Sequence, residues 1–170
     1  ASIERRLDNL VSLADRLVFT SPYFYNNYYV ERINARRSDI FVFENLPKRK
    51  NFASFEKLFQ ERFVIGFVGG VRFLDSLITL FEACKDMDRV KVVVAGKGPQ
   101  YSELLKVAQK YPNVEVTGQY DYSSDISRIY SSITLVYSVY DSRKLNVKLA
   151  LPNRLYESIV CGIPILVAKK

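Results

Sequence analysis

The sequence predicts an α/β fold built on a parallel sheet with helices on both faces, and three observations lead there. From Phe63 onward, short apolar runs rich in branched residues alternate with stretches whose apolar positions recur every three or four residues. Glycines follow the ends of those runs, at Gly69, Gly70, Gly96, Gly98 and Gly118, where a strand turns tightly toward the next helix. The chain has 170 residues and is 48% hydrophobic, enough for one domain with a proper core or one domain plus part of another. Strands that alternate with helices require crossover connections, so the sheet is parallel and both its faces are covered.

Ser2 to Asp15 reads as a helix with Ile3, Leu7, Leu10, Val11 and Ala14 on one face and Ser2 as its N-cap. Leu17 to Thr20 is a short strand. Ser21-Pro22 then opens a second helix, Tyr23 to Ala35, whose many tyrosines suit packing against neighbouring structure or an acceptor- or membrane-facing surface. Asp39 to Glu44 is a strand that Asn45-Leu46-Pro47 ends, and Lys48-Arg49-Lys50 with Asn51 makes a polar connection. From Phe63 the pattern becomes a repeating strand and helix. Strands are expected at Phe63–Val68, Val90–Ala95, Val114–Thr117 and Ile133–Tyr137. The helices between them carry Leu74, Leu77, Ile78, Phe81 and Cys84, then Tyr101, Leu104, Leu105 and Ala108, then Ile126, Ile129 and Tyr130, the last capped by Ser123 or Ser124. A loop from Ser138 to Leu151 follows.

The stretch from Leu151 to Ala168 gathers the most chemistry. Pro152 suits the first turn of a helix, Leu155, Tyr156, Ile159 and Val160 form its apolar stripe, and Gly162 ends it. Ile163 to Ala168 then reads as a strand buried on both faces. Asn153 and Arg154 stand at the helix tip, where unpaired N–H groups and a partial positive charge receive phosphate, and Arg154 adds a second anion contact. Glu157, one turn further on, is placed to accept hydrogen bonds from two neighbouring hydroxyls. The pairing suits a nucleotide, with diphosphate at the tip and ribose at the Glu.

Composition narrows the rest. The 25 Lys and Arg outweigh 18 Asp and Glu, which favours anionic partners such as phosphates, nucleic acid or an acidic membrane surface without choosing among them. The chain has no His, which removes Ser-His-Asp and Cys-His catalysis. Cys84 and Cys161 fall in apolar helical patterns without metal-ligand spacing, so no metal site is expected and both read as buried, reduced thiols in a reducing compartment. No apolar run approaches the roughly 20 residues a membrane helix needs, and no signal-peptide pattern is present. Ala1 opens directly into a charged helix and Lys170 directly follows a strand, so the chain reads as a fragment of a longer protein.

Pro152-Asn153-Arg154 with Glu157 and Gly162-Ile163-Pro164 resembles the donor-binding motif of GT-B glycosyltransferases, in particular the group 1 transferases. Three more motifs resemble that family in order, each after its expected strand. Gly69-Gly70-Val71-Arg72 matches its first glycine loop, Ala95-Gly96-Lys97-Gly98-Pro99 its Val-Gly-x-Gly-Pro, and Gly118 with Tyr120 the turn beside the nucleotide base. The resemblance implies the Rossmann-like C-terminal half of a GT-B fold over residues 51–170, cut short at its C-terminus, with residues 1–50 as the tail of the N-terminal acceptor domain and the interdomain connection. It implies that Gly69, Gly70, Arg72, Gly96, Gly98, Gly118, Tyr120, Asn153, Arg154 and Glu157 bind a nucleoside-diphosphate sugar, with Glu157 on the ribose. The sugar would pass to an acceptor hydroxyl with no cofactor and no metal, in bacterial cell-surface polysaccharide, capsule or lipopolysaccharide synthesis. A glycan or lipid-linked acceptor would enter through the missing N-terminal domain, in the cytoplasm or against the inner face of the cytoplasmic membrane, with no nucleic-acid partner. This fragment alone would transfer nothing.

Two departures from the family pattern stand out. Many retaining members carry a Glu eight residues before the ribose-binding one, where this chain has Leu149. The family's Lys after the glycine-loop Arg is also absent, with Asp75 and Ser76 nearby and Lys148 or Arg154 as the substitute charge. Neither the catalytic residues nor a retaining or inverting outcome follows from the sequence. Two rival readings remain open. A dinucleotide-binding domain would need a third glycine where Gln100-Tyr101 stand and an acidic residue where Ala95 ends its strand. A basic, aromatic-rich module for nucleic acid or an acidic membrane would bind with a steep dependence on salt.

Overall fold

The computed structural model describes residues 3–32 and 39–169, and the chain divides into two compact units, residues 1–45 with 143–151 and residues 46–142 with 152–170. In the first unit, α1 (Ile3–Leu13) leads to β1 (Leu17–Phe19), which pairs in parallel with β2 (Ile40–Val42). The α1 side chains Ile3, Leu7 and Leu10 are exposed. Ser21 caps the next helix, its Oγ accepting from the Tyr23 N–H at 3.2 Å, and Pro22 takes the first helical position, where an N–H is not needed. This α2 (Pro22–Phe24) runs through a π-helical turn (Tyr25–Tyr29) into α3 (Val30–Arg32). The rings of Tyr25 and Tyr29 lean on Phe19, with centroids 5.8 and 5.4 Å away, so these tyrosines pack within their own unit. Arg32 forks onto Asp8 of α1 at 3.0 and 2.8 Å. Ser2 and Ala35, at the expected helix ends, lie outside the described residues.

Part of the expected loop between Ser138 and Leu151 is a short helix, α7 (Leu145–Leu149), in the first unit. No side chain caps it and it has barely one turn, so no start or stop signal marks it in the sequence. The Ser21 Oγ donates to the Leu149 carbonyl at 2.9 Å.

The second unit opens with a 3-10 turn (Arg49–Phe52) inside the expected polar connection. Its charges are exposed, but Asn51 and Phe52 are buried. Five strands follow: β3 (Phe63–Val68), β4 (Val90–Ala95), β5 (Val114–Gly118), β6 (Leu135–Ser138) and β7 (Ile165–Val167). All pair in parallel, in the order β5-β4-β3-β6-β7. One face carries α4 (Leu74–Cys84) and α5 (Tyr101–Ala108), where Leu77, Phe81 and Leu104 pack on Ile65, Phe67, Val92 and Val94. The other carries α6 (Tyr122–Ser131) and α8 (Asn153–Val160), where Ile126, Tyr130, Ile133 and Cys161 pack with Phe52, Val68 and Val136. The sheet is therefore covered on both faces as expected, and strand order reverses between β3 and β6. A crevice at the carboxyl ends of those two strands is where ligands enter such sheets.

Several local details differ from the expectation. Among the described residues β7 pairs with β6 alone, and Leu166 and Val167 are exposed, so here the strand is not buried on both faces. Asp121, not Ser123 or Ser124, caps α6: its Oδ1 accepts from the N–H groups of both serines at 2.9 Å, and the residue before the first turn is the one placed to do so. Pro152 stands just before the first turn of α8, and Gly162, at φ 60°, closes the far end with bonds from its own N–H to Ile159 and from the Ile163 N–H to Ser158. Cys84 and Cys161 are free and buried. Among the described residues, no helix is long and apolar enough to cross a membrane.

Gly66 lies at the centre of β3 because Ile133 covers it. A Cβ there would collide with the Ile133 side chain. Gly66→Ala is expected to lower the unfolding free energy by about 1–3 kcal/mol, the usual range for an overfilled core, measured by urea denaturation.

Candidate functional site

Three loops at the carboxyl ends of β3, β4 and β5 are tied to one another through the backbone. The Gly69 N–H donates to Ala95 O at 2.8 Å, the Val71 N–H to Lys97 O at 3.2 Å, the Gln100 N–H to Val71 O at 3.2 Å, and the Gly96 N–H to Gly118 O at 2.7 Å. The Gln100 side chain also accepts from the Leu74 N–H at 3.0 Å, which starts α4 in place of an N-cap side chain. Approach this close needs glycine. Gly96 has φ 133° and its missing Cβ would strike the Gly69 carbonyl, while a Cβ at Gly98 would come within 2.6 Å of the Val71 nitrogen. Gly118, at φ 79°, leaves room for the Tyr101 hydroxyl. Gly69, Gly70, Gly96, Gly98 and Gly118 are thus brought together, with Gly96 and Gly98 serving loop-to-loop contact.

Arg154 comes to this ledge from the first turn of α8. Its guanidinium is buried, lies 4.0 Å from the Phe67 ring centroid and 5.2 Å from that of Tyr140, and donates from Nη1 to the Tyr137 carbonyl at 3.1 Å. Nη2 fills the space a side chain at Gly69 would need, 2.9 Å from the Cβ position. Among the described residues, no carboxylate pairs with Arg154. Arg72, in contrast, is exposed, and its Nε would be 3.7 Å from a Cβ at Gly70. Two guanidinium groups therefore flank two consecutive glycines. No side chain caps the α8 N-terminus beside them, and Asn153 is exposed there. Ser76, close to where the family resemblance expects a Lys, instead holds the β6 exit: its Oγ donates to Val139 O at 2.6 Å, and the Tyr137 hydroxyl donates to Ser76 O at 2.9 Å.

Glu157, one turn along α8, is 4% exposed. The Tyr122 hydroxyl donates to its Oε1 at 2.9 Å and the Tyr130 hydroxyl to its Oε2 at 2.6 Å. Burial, followed by the Glu157 charge, pushes both phenols well above the usual tyrosine range, so they remain protonated donors. Tyr120 stands in the fields of both charged groups: burial and Glu157 raise its pKa, and Arg154 lowers it. The Cys161 thiol, buried and also facing Glu157, is pushed up to about 12 and stays neutral. Nothing in spacing alone indicated Tyr122 and Tyr130, which lie 35 and 27 residues from Glu157 in sequence.

A groove of about 320 Å³ runs along the same sheet face from Leu58 and Gln60, past Lys91, Glu115 and Arg128, to Gln119 and Tyr120. It reaches the site only at Tyr120.

A family model described as Glycosyl transferases group 1 matches residues 62–170. No curated protein matches the sequence. Among solved structures, HepE of Anabaena in complex with UDP-glucose aligns at 18% identity over 97% of this chain and 48% of its own, with a TM-score of 0.70. A mutant of S. aureus TarM in complex with Fondaparinux, alpha-GlcNAc-glycerol and UDP aligns at 18% identity over 96% of this chain and 32% of its own, with a TM-score of 0.66. WaaG, a glycosyltransferase involved in lipopolysaccharide biosynthesis, aligns at 12% identity over 89% of this chain and 44% of its own, also with a TM-score of 0.66. The chain spans less than half the length of each, and the likeness establishes the fold they share.

Proposed function

The chain belongs to the glycosyl transferases group 1 family, and from that premise we propose that its second unit is the donor-binding half of a glycosyltransferase. It holds a nucleoside-diphosphate sugar, and the sugar passes to an acceptor hydroxyl in polysaccharide or lipopolysaccharide synthesis. The observation that carries this reading is Arg154. A buried guanidinium has five donors, and among the described residues this one spends a single hydrogen bond on the protein, to the Tyr137 carbonyl, and meets no carboxylate. Leaving such a charge unpaired is costly unless an anion completes it.

In this reading Arg154, Arg72 and the uncapped N–H groups of α8 hold the diphosphate over Gly69 and Gly70. Glu157 receives the ribose hydroxyls, and Tyr120 with Gly118 borders the base. As the acceptor oxygen bonds to the anomeric carbon, the bond from that carbon to the phosphate oxygen breaks. The negative charge left on the diphosphate is stabilised by the two guanidinium groups and the helix tip. The acceptor, a glycan or a lipid-linked glycan, and the group that takes its proton belong to the remainder of the protein, of which residues 1–50 are the tail. Such work belongs in the cytoplasm, on or near the inner membrane face.

UDP is the first donor nucleotide to test, because the HepE and TarM structures contain it. Titrating the folded chain with UDP, GDP and ADP by calorimetry is expected to give saturable binding to at least one, with weak dependence on salt. A folded sample that binds none of the three overturns the proposal.

A further inference from the structure

Glu157 sits at the end of a second set of contacts that the diphosphate does not explain. Asp121 caps α6 through the N–H groups of Ser123 and Ser124, and its own N–H donates to Asp125 Oδ2 at 2.9 Å. That fixes the first residue of α6, Tyr122, whose half-buried ring brings its hydroxyl to Oε1. Two turns later Tyr130, with no exposed surface and its ring edge-on to Phe52 at 6.0 Å, brings its hydroxyl to Oε2. The two phenols thus grip opposite oxygens of one carboxylate from a single helix, while the carboxylate itself comes from another.

We propose that Tyr122 and Tyr130 are positioning residues that aim Glu157 at a vicinal diol, and that this pair sets the preference for a ribonucleoside over a 2′-deoxyribonucleoside ligand. The inference rests on the donor-binding reading above. Each carboxylate oxygen carries two acceptor positions. One on each is taken by a phenol, and one on each remains. Two adjacent hydroxyls match that remainder, one per oxygen. With both phenols in place the carboxylate cannot rotate about its terminal torsion, which is otherwise broad, so its free acceptor positions keep one orientation before the ligand arrives. A ligand lacking one hydroxyl leaves an acceptor unmet in a buried setting, and that penalty is the source of selectivity.

A purely structural role, in which the tyrosines only satisfy a buried charge, predicts something different: their loss would lower stability and weaken every ligand alike. The test is calorimetric titration of the full chain with UDP, GDP and ADP, each beside its 2′-deoxy counterpart, for wild type, Tyr122→Phe, Tyr130→Phe and Glu157→Gln. Thermal unfolding confirms that each sample is folded. The wild type is expected to prefer the ribonucleotide by about tenfold or more, the effect of one buried hydrogen bond. In Tyr122→Phe and Tyr130→Phe that preference falls to within about twofold while affinity for the deoxy ligand stays the same, as one lost bond requires. Tyr122 is partly exposed, so its variant carries the test if Tyr130→Phe does not fold. Variants that keep the wild-type preference, or lose affinity for both ligands equally, overturn the inference and leave the donor-binding reading standing. A wild type that binds both sugars equally removes the diol contact but not the diphosphate site. A wild type that binds neither ends both.

Discussion

Arg154→Met is expected to abolish measurable nucleoside-diphosphate binding while leaving the unliganded fold almost as stable as before. The binding side follows from the loss of the proposed buried, charge-assisted contact to phosphate, about 2–4 kcal/mol or thirty- to thousand-fold in affinity. The stability side is less obvious, because three contributions compete. Removing the guanidinium gives up its stacking between Phe67 and Tyr140 and its bond to the Tyr137 carbonyl. It also removes a desolvated cation that has no carboxylate among the described residues, which by itself costs several kcal/mol. Met is long and apolar enough to occupy the same slot, so the balance falls within about 1 kcal/mol. Thermal unfolding with and without UDP reads both quantities at once: the melting point of the free protein barely moves, and the ligand-induced rise disappears. Arg154→Lys should behave similarly, since an ammonium cannot lie flat between two rings or fork onto a phosphate. A variant that melts early and still gains stability from UDP would mean that Arg154 is a packing residue and no more.

Gly96→Ala is expected to have the largest effect on stability. The backbone at Gly96 has φ 133°, a region closed to side chains, and the new methyl would meet the Gly69 carbonyl. That carbonyl cannot yield cheaply, because the Gly69 N–H is bonded to Ala95 and the Gly96 N–H to Gly118. Relief requires opening the loops after three strands together, and a loss of about 3 kcal/mol or more follows from combined strain and overpacking. For a chain of this length that corresponds to a melting point lower by roughly 10 °C. Gly70→Ala provides the contrast. A Cβ there meets only Arg72 Nε at 3.7 Å and Lys97 O at 3.8 Å, ordinary contacts, and its loss should stay within about 1 kcal/mol. Equal melting points for the two variants would show that the loops are not interlocked.

The elements that repeat with a clear period were readable before any coordinates. β3 to β5 and α4 to α6 announce themselves by apolar runs and by glycines at the turns, and the parallel order follows from the crossovers. What escaped were features decided by distant partners or by a single residue. The sequence places Arg154 at a helix tip but not beneath Gly69, since that burial depends on Phe67 from one strand and Tyr140 from beyond another. It marks Glu157 but not the phenols that hold it. It offers two serines as caps for α6, while the carboxylate just ahead of them reaches both N–H groups at once. β7 carries the branched residues of an interior strand, and among the described residues it pairs with β6 alone. Helix α7 has no period to detect in five residues.

The loop after the second strand of the large sheet bonds through its main chain to the loops on either side of it, and this bears on how the site can change over evolutionary time. Its floor is tied down by main-chain bonds before any ligand arrives, so little backbone is left for a ligand to order. Exposed side chains that project from the floor, such as Lys97 and Gln119, can be exchanged without breaking its main-chain bonds. The frame acts as a fixed jig, to which, in the donor-binding reading, new preferences for sugar or base can be fitted one residue at a time.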